Sequence, residues 1–472
     1  MMVKKNKMPS SFTIIFSLVV FMTILTYVIP AGEFSKEMKE VNGNLREVVV
    51  AGTYHAVERP SRGFLDGIFT VLTAMAKGME HAVEVIVFVL IVGGAYGVIL
   101  GTGAVDAGIA AAIKKMGNKD KLLIPLMMFI FSIGGTTTGM YEETLPFYLI
   151  MIPLVIALGY DSIVAVAIIG LGAGVGTMAS TINPFSTGIA AAIAGIEIKE
   201  GFYFRLILYI VSVFVAIVYV LIYAIRVKDD PKRSIVYGQR EEHYNVFVKG
   251  RMGGKGDSMP EFTNRRKMVL LLYGVMLVFL IYSILELGWW MQEMTMLYLG
   301  TAMLSAFICK MSELQMWETF VEGAKDMMTA ALIIGMARGV MIVADEGMIT
   351  GTMLNAASEF LYGVPKGMFV VLNELVQMCI GVVVPSSSGH ASLTMSMMAP
   401  LADFLDMPRS SVVLGMQTAS GLVNLLTPTS GVIMAVLGIA RISYGSWFKF
   451  VMPIFVIECV ICILVIMANV YL

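Results

Sequence analysis

This 472-residue chain writes its apolar core twice. Leu90-Ile91-Val92-Gly93-Gly94-Ala95-Tyr96-Gly97-Val98 returns as Leu332-Ile333-Ile334-Gly335-Met336-Ala337-Arg338-Gly339-Val340. Thr136-Thr137-Thr138-Gly139 returns as Ser386-Ser387-Ser388-Gly389, and Thr181-Ile182-Asn183-Pro184-Phe185-Ser186 returns as Leu425-Leu426-Thr427-Pro428-Thr429-Ser430. The three matches keep their order and lie about 240–250 residues apart. Duplicated apolar halves interrupted by Gly, Pro and hydroxyl residues at matching places are the pattern of a membrane carrier built from repeats.

Composition fixes the solvent. With 58% apolar and only 14% charged residues and a mean hydropathy of +0.82, the chain reads as an all-α polytopic membrane protein. Runs long enough to cross about 30 Å of hydrocarbon fall near 11–30, 82–103, 121–134, 140–158, 160–178, 204–226, 268–287, 292–310, 326–346, 367–384, 391–405, 409–425 and 446–470. Segments 182–197 and 426–441 are too short for full crossings. The first run follows Lys4, Lys5 and Lys7 but is too long for a secretory leader, so it reads as a retained helix. Cys309, Cys379, Cys459 and Cys462 all lie in or beside spans, so they read as structural thiols, not a disulfide framework. A net charge of −1 and the lack of a basic stretch leave no case for nucleic acid. There is no P-loop, and no cofactor is expected beyond a sodium ion or proton as coupling ion.

The halves read as oppositely oriented. The linker 227–267 is rich in Lys and Arg and carries the Gly-rich stretch Gly250–Gly256, which places it in the cytoplasm with the N-terminus. After the leading helix of the first half come Lys114, Lys115, Lys119 and Lys121; after that of the second come Asp345, Glu346, Glu359 and a single Lys366. One loop is then cytoplasmic and the other external, which is the inverted kind of repeat. Amphipathic stretches Phe64–Met79 and Met311–Met327 precede the two leading helices and read as interfacial. The expected organisation is an N-terminal helix with external loop (1–63), a first repeat (64–226), the linker, two connecting helices (268–310) and a second repeat (311–472). The expected setting is a prokaryotic cytoplasmic membrane, with the C-terminus external.

In hydrocarbon, a broken helix must lie against protein or water, because its freed N–H and C=O groups have no lipid partner. Thr136, Thr137, Thr138 and Gly139, with Ser386, Ser387, Ser388 and Gly389, mark such breaks at mid-span; hydroxyls and open amides there suit a cation or a carboxylate. Asn183, Pro184 and Ser186, with Thr427, Pro428, Thr429 and Ser430, mark a second pair, where proline interrupts the ladder and a restarting helix aims its positive end at the gap. Thr137, Asn183, Ser387 and Thr427 are the candidate sodium ligands. Buried charge is rarer. Glu142 and Glu143 follow the Thr-rich break, Arg338 sits mid-helix where the first half has Tyr96, Glu374 lies beside Asn373 and Gln377, and His390 follows the Ser-rich break. Each needs a partner or a wet pocket, at about 2.5–3.5 kcal/mol on insertion scales. Arg338 is open to two readings, a substrate anchor or a structural ion pair; Glu142 and Glu143 serve either a substrate or a coupling ion. Glu80, His81 and Glu84 read as interfacial, and Gly170, Gly172, Gly174 and Gly176 as a close-packing stripe.

The run Gly134-Gly135-Thr136-Thr137-Thr138-Gly139-Met140-Tyr141-Glu142-Glu143, with Met336–Val340 and Pro385–His390, resembles the ion-transporter superfamily. Within it, the match is to the YfcC-like and basic amino-acid antiporter branch, related to the C4-dicarboxylate anaerobic carriers. The resemblance implies a homodimer, a scaffold and a transport part, re-entrant hairpins whose tips are the Thr-rich and Ser-rich breaks, and elevator-like movement. Two glutamates facing one arginine suit a basic amino acid such as arginine or ornithine better than a dicarboxylate. The alternatives are a C4-dicarboxylate or other carboxylate carrier coupled to sodium or protons, and, more remotely, a membrane hydrolase using Ser386–Ser388 with His390. No enzymatic activity is expected, and the partners are a small-molecule substrate and lipid.

Overall fold

The computed structural model describes residues 10–41, 44–58, 63–108, 111, 117–249, 261–287, 289 and 291–472. Lys4, Lys5, Lys7, Lys114, Lys115 and the Gly250–Gly256 stretch, on which part of the orientation reading rested, lie outside these residues. Helix α1 (Ser11–Val28) leads into short antiparallel ribbons, β1 (Gly32–Glu33) with β4 (His55–Ala56) and β2 (Lys36–Val41) with β3 (Asn44–Val49). The first half continues with α2 (Phe64–His81), α3 (Val83–Gly101), α4 (Leu123–Thr138), α5 (Leu145–Ala157), α6 (Ser162–Met178), α7 (Ile189–Ala194) and α8 (Phe202–Asp229). After α9 (Arg240–Tyr244), α10 (Asn264–Glu286) and α11 (Met291–Cys309) come α12 (Glu313–Glu346), α13 (Ile349–Leu361), α14 (Lys366–Val383), α15 (Ser387–Phe404), α16 (Arg409–Leu426), α17 (Gly431–Ile439) and α18 (Tyr444–Tyr471). Among the described residues, seven helical stretches are long and apolar enough to cross a membrane.

Polar caps start these apolar helices where the chain leaves hydrocarbon. Asp161 accepts from the Val164 N–H at 2.9 Å, Ser312 from Gln315 at 3.2 Å and Ser443 from Ser446 at 3.3 Å, each satisfying an orphan donor of a first turn.

The inversion is visible in which residues touch. Ala74 and Gly78 meet Gly339 and Gly335, while Gly93 and Gly97 meet Met327, Gly323 and Thr319, so α2–α3 runs antiparallel to α12. A methyl on Gly78 would overlap the Gly335 carbonyl, so this crossing depends on bare backbones. At the centre, α6 crosses α16 in the same antiparallel sense, through Gly174 with Leu425 and Met178 with Gly421. Within each half, by contrast, neighbours run parallel: Met128 and Ser132 of α4 meet Gly172 and Gly176 of α6, and Asn373 and Gly381 of α14 meet Gly415 and Val423 of α16. The stripe Gly172, Gly174 and Gly176 is used for packing, as expected.

Two expectations need correction. The span read over 140–158 is interrupted, with a 3-10 turn at Glu142–Thr144 and helix only from Leu145. Its 13 residues reach about 20 Å, short of the hydrocarbon thickness, so α4 and α5 form a re-entrant hairpin. α14 and α15 form its counterpart. The stretch Met311–Met327 is not a separate interfacial helix, because Glu313–Glu346 is one continuous helix; only its first-half counterpart is divided, at Ala82.

Two faces follow. On one, Lys228 pairs with Asp120, Tyr223 and Ser234 donate to Asp161 at 2.7 and 2.6 Å, and His243 reaches the Arg441 carbonyl oxygen at 3.3 Å. This linker face holds the base of the α4–α5 hairpin. On the far face, Arg409 pairs with Asp403 at 2.6 Å and donates to the Ala194 carbonyl at 2.5 Å, and Lys366 pairs with Asp406 at 3.1 Å. The base of the α14–α15 hairpin lies there. The two hairpins therefore enter from opposite faces.

Candidate functional site

Four backbone interruptions converge. Helix α4 stops where Gly139 adopts a left-handed conformation (φ 72°), with the Asn183 side chain where a β-carbon would be. Helix α6 ends at Met178, and the chain resumes as a single π turn at Pro184–Gly188 before α7. In the second half, α14 ends before Pro385, and α16 ends before Thr427-Pro428.

Each break frees carbonyls that lipid cannot satisfy, and side chains take them up. Thr136 Oγ1 donates to the Ala179 carbonyl at 2.9 Å, and Gln417 Nε2 to the Ser180 carbonyl at 3.0 Å. Trp447 Nε1 donates to the Leu425 carbonyl at 2.9 Å, and the Tyr444 hydroxyl to that of Leu426 at 2.8 Å. Asn424 Nδ2 holds the Pro385 carbonyl at 2.9 Å, while the Tyr141 hydroxyl donates to the Asn424 carbonyl at 3.2 Å. Tyr141 thereby ties one hairpin tip to the opposite half.

Between these bends lies a cavity of about 520 Å³. Of the residues expected at the site, Thr138, Gly139, Glu142, Glu143, Asn183, Arg338, Ser386, Ser387, Ser388, Thr429 and Ser430 line it. Arg338 makes no ion pair within 4.0 Å with any described residue; its charge acts on Glu142 within the cavity and on Asp345. Glu143 accepts from the Tyr141 N–H at 3.0 Å, which holds it at the hairpin tip. Helices α15 and α17 begin at the cavity wall, so two helix N-termini present amides to it.

The other expected residues do not line it. Thr136 is used up on Ala179, and Thr137 turns its hydroxyl to the Ile133 carbonyl at 2.6 Å. Ser186 is buried, Thr427 bonds Thr429 at 2.8 Å, and Pro184, Pro428 and Gly389 only shape the turns. His390 is buried and bonds Gln377 at 2.7 Å, away from the serines, so the Ser-His arrangement of a hydrolase is not assembled. Of the candidate sodium ligands, Asn183 and Ser387 reach the cavity, but Thr137 and Thr427 spend their hydroxyls elsewhere. Among the described residues there is no cluster of three His, Cys, Asp or Glu suited to a metal.

Sequence reading missed several wall residues. His81 and Glu84, taken as interfacial, flank the α2–α3 break and line the cavity, as do Tyr141, Thr177 and Asn424. A polar Asn three residues before Thr427-Pro428 was the available signal for Asn424. For His81 and Glu84 the interruption at Ala82 leaves no Gly or Pro to betray it.

The halves are not equivalent in exposure. Phe185 is 38% exposed and borders the cavity, whereas its counterpart Thr429 is 2% exposed, with its hydroxyl on the Val382 carbonyl at 2.7 Å. Gly431 and Gly438 of α17 pack on Ile334, Thr329 and Ile333 of α12.

Comparison with known proteins gives a consistent picture. Residues 8–471 match the family described as C4-dicarboxylate anaerobic carrier. An uncharacterized protein of Haemophilus influenzae is 34% identical, the alignment covering 98% of this chain and 96% of that one. The Escherichia coli protein named "Putative basic amino acid antiporter YfcC" is 30% identical, over 94% of this chain and 92% of its own. Two solved structures align along the chain at low similarity. Neisseria gonorrhoeae MtrF, described among antimetabolite efflux pumps, has TM-score 0.42 and 15% identity over 99% of this chain and 96% of its own. The Alcanivorax borkumensis YdaH transporter has TM-score 0.40 and 12% identity over 97% and 98%.

Proposed function

This chain belongs to the C4-dicarboxylate anaerobic carrier family, and from the cavity chemistry we propose an antiporter of basic amino acids such as arginine and ornithine. One observation carries the choice of substrate: the unpaired Arg338 guanidinium shares a single cavity with the carboxylates Glu142, Glu143 and Glu84. A basic amino acid presents one carboxylate, which Arg338 and the amides opening α15 and α17 receive, and two cationic groups, which the glutamates receive. A dicarboxylate would meet more carboxylates than cations. The name carried by the Escherichia coli relative agrees with this reading. The family description favours the second reading, a C4-dicarboxylate carrier.

In this account α1–α3 and α10–α12 form a scaffold, and α4–α8 with α14–α18 form a moving part that carries both hairpins. The linker face is cytoplasmic, the far face external, the setting a prokaryotic cytoplasmic membrane and the assembly a homodimer. Movement is elevator-like: closing the first-half break against α3 while opening the second-half break from α12 exchanges the exposures of Phe185 and Thr429. Counterflow in liposomes preloaded with arginine, ornithine or succinate tests the substrate. Arginine–ornithine exchange without succinate exchange is expected; succinate exchange alone selects the second reading. Arg338→Ala should lower exchange about a hundredfold, the ~3 kcal/mol of a buried charge left without its partner.

A further inference from the structure

Outside the cavity, two carboxyl groups are sunk in the second half with nothing to neutralise them. Glu374 on α14 and Glu458 on α18 are both 0% exposed. Thr418 of α16 donates to Glu374 Oε2 at 3.0 Å and leaves Oε1 without a partner, and Glu458 faces the Ser212 hydroxyl of α8. Both carboxyls act electrostatically on the Cys462 thiol, and their helices α14 and α18 pack against each other. The titratable groups beside these carboxyls are Cys459 and Cys462 from α18; α8 contributes Ser212 and α16 Thr418. No cation stands against either carboxyl among the described residues.

Two ionised carboxylates cannot stay in such a place without a counter-charge, whereas carboxylic acids can. Structural glue is a poor account, since glue uses its oxygens and Glu374 Oε1 is idle. Helix packing does not require them either, because the first half has apolar Ile124 and Ala216 at the corresponding levels of α4 and α8.

We propose that Glu374 and Glu458 are a proton-carrying site, binding protons from water on one face and releasing them to water on the other as the moving part shifts. The step is a plain acid–base exchange: carboxylate plus proton gives carboxylic acid, and release reverses it. This goes beyond the amino-acid reading and needs only that the chain is a carrier.

Two measurements test it. In the purified full-length protein, a hydrophobic carbodiimide, which attacks protonated carboxyls, should label Glu374 and Glu458 at least about tenfold faster near pH 6 than near pH 9. In liposomes holding a pH-sensitive dye, solute entry should move protons, with arginine and succinate tried in parallel. E374Q and the double variant E374Q/E458Q should lose that proton movement, and Cys379→Ser, on the exposed side of α14, should keep it. Proton movement with succinate but not arginine sinks the amino-acid reading and supports the proton site. Absence of labelling at both glutamates, proton movement with neither solute, or unchanged movement in E374Q/E458Q overturns the proposal.

Discussion

At the residue scale, the site turns on charge placed where lipid forbids it. Arg338 stands out in the sequence because its counterpart is Tyr96, and it does face the cavity. Glu142 and Glu143 stand out because they follow a mid-span break. His390 has the same sequence credentials but turns to Gln377, since burial on one helix face decides which polar residues meet the cavity, and that face is set by tertiary packing. Glu142→Gln and Glu143→Gln should each lower exchange of arginine about tenfold, and that of its neutral isostere citrulline by less than about threefold. Equal losses for both solutes in counterflow would show that these carboxylates do not read substrate charge. Gln417→Leu should destabilise the protein by about 1–3 kcal/mol, because it strips partners from the Ser180 carbonyl and the Thr187 hydroxyl; thermal melting in detergent reads this out.

At the element scale, most helices were legible because an apolar run in this solvent has one stable backbone. Their ends were less so. Proline marked the breaks at Pro184 and Pro428, but the α2–α3 division at Ala82 carries no such residue, and the length of α12 was hidden by charges along Glu313–Asp326. The antiparallel crossing of α2–α3 on α12 depends on glycine backbones in contact at Gly78 and Gly335. Gly78→Val should destabilise by about 1–3 kcal/mol through overpacking, seen as a lower melting temperature. Gly238→Val, where no neighbour lies near the would-be β-carbon, should leave melting unchanged.

At the scale of the whole molecule, two halves of opposite sense share one cavity, and they differ in exposure at matching positions. The crossing pairs Gly174–Leu425 and Gly421–Met178 join the halves in antiparallel sense, while Phe185 is 38% exposed and its counterpart Thr429 2%. The alternating movement proposed above expects such a mismatch in any single conformation, and no reading of residue types along the chain could reveal it. The most direct test uses single cysteines at Phe185 or Thr429, in a protein with Cys309, Cys379, Cys459 and Cys462 replaced. A membrane-impermeant thiol reagent should modify F185C from one face and spare T429C; during solute exchange T429C should become reactive from the opposite face. Reaction of both positions from the same face, or protection of T429C under every condition, would contradict the account.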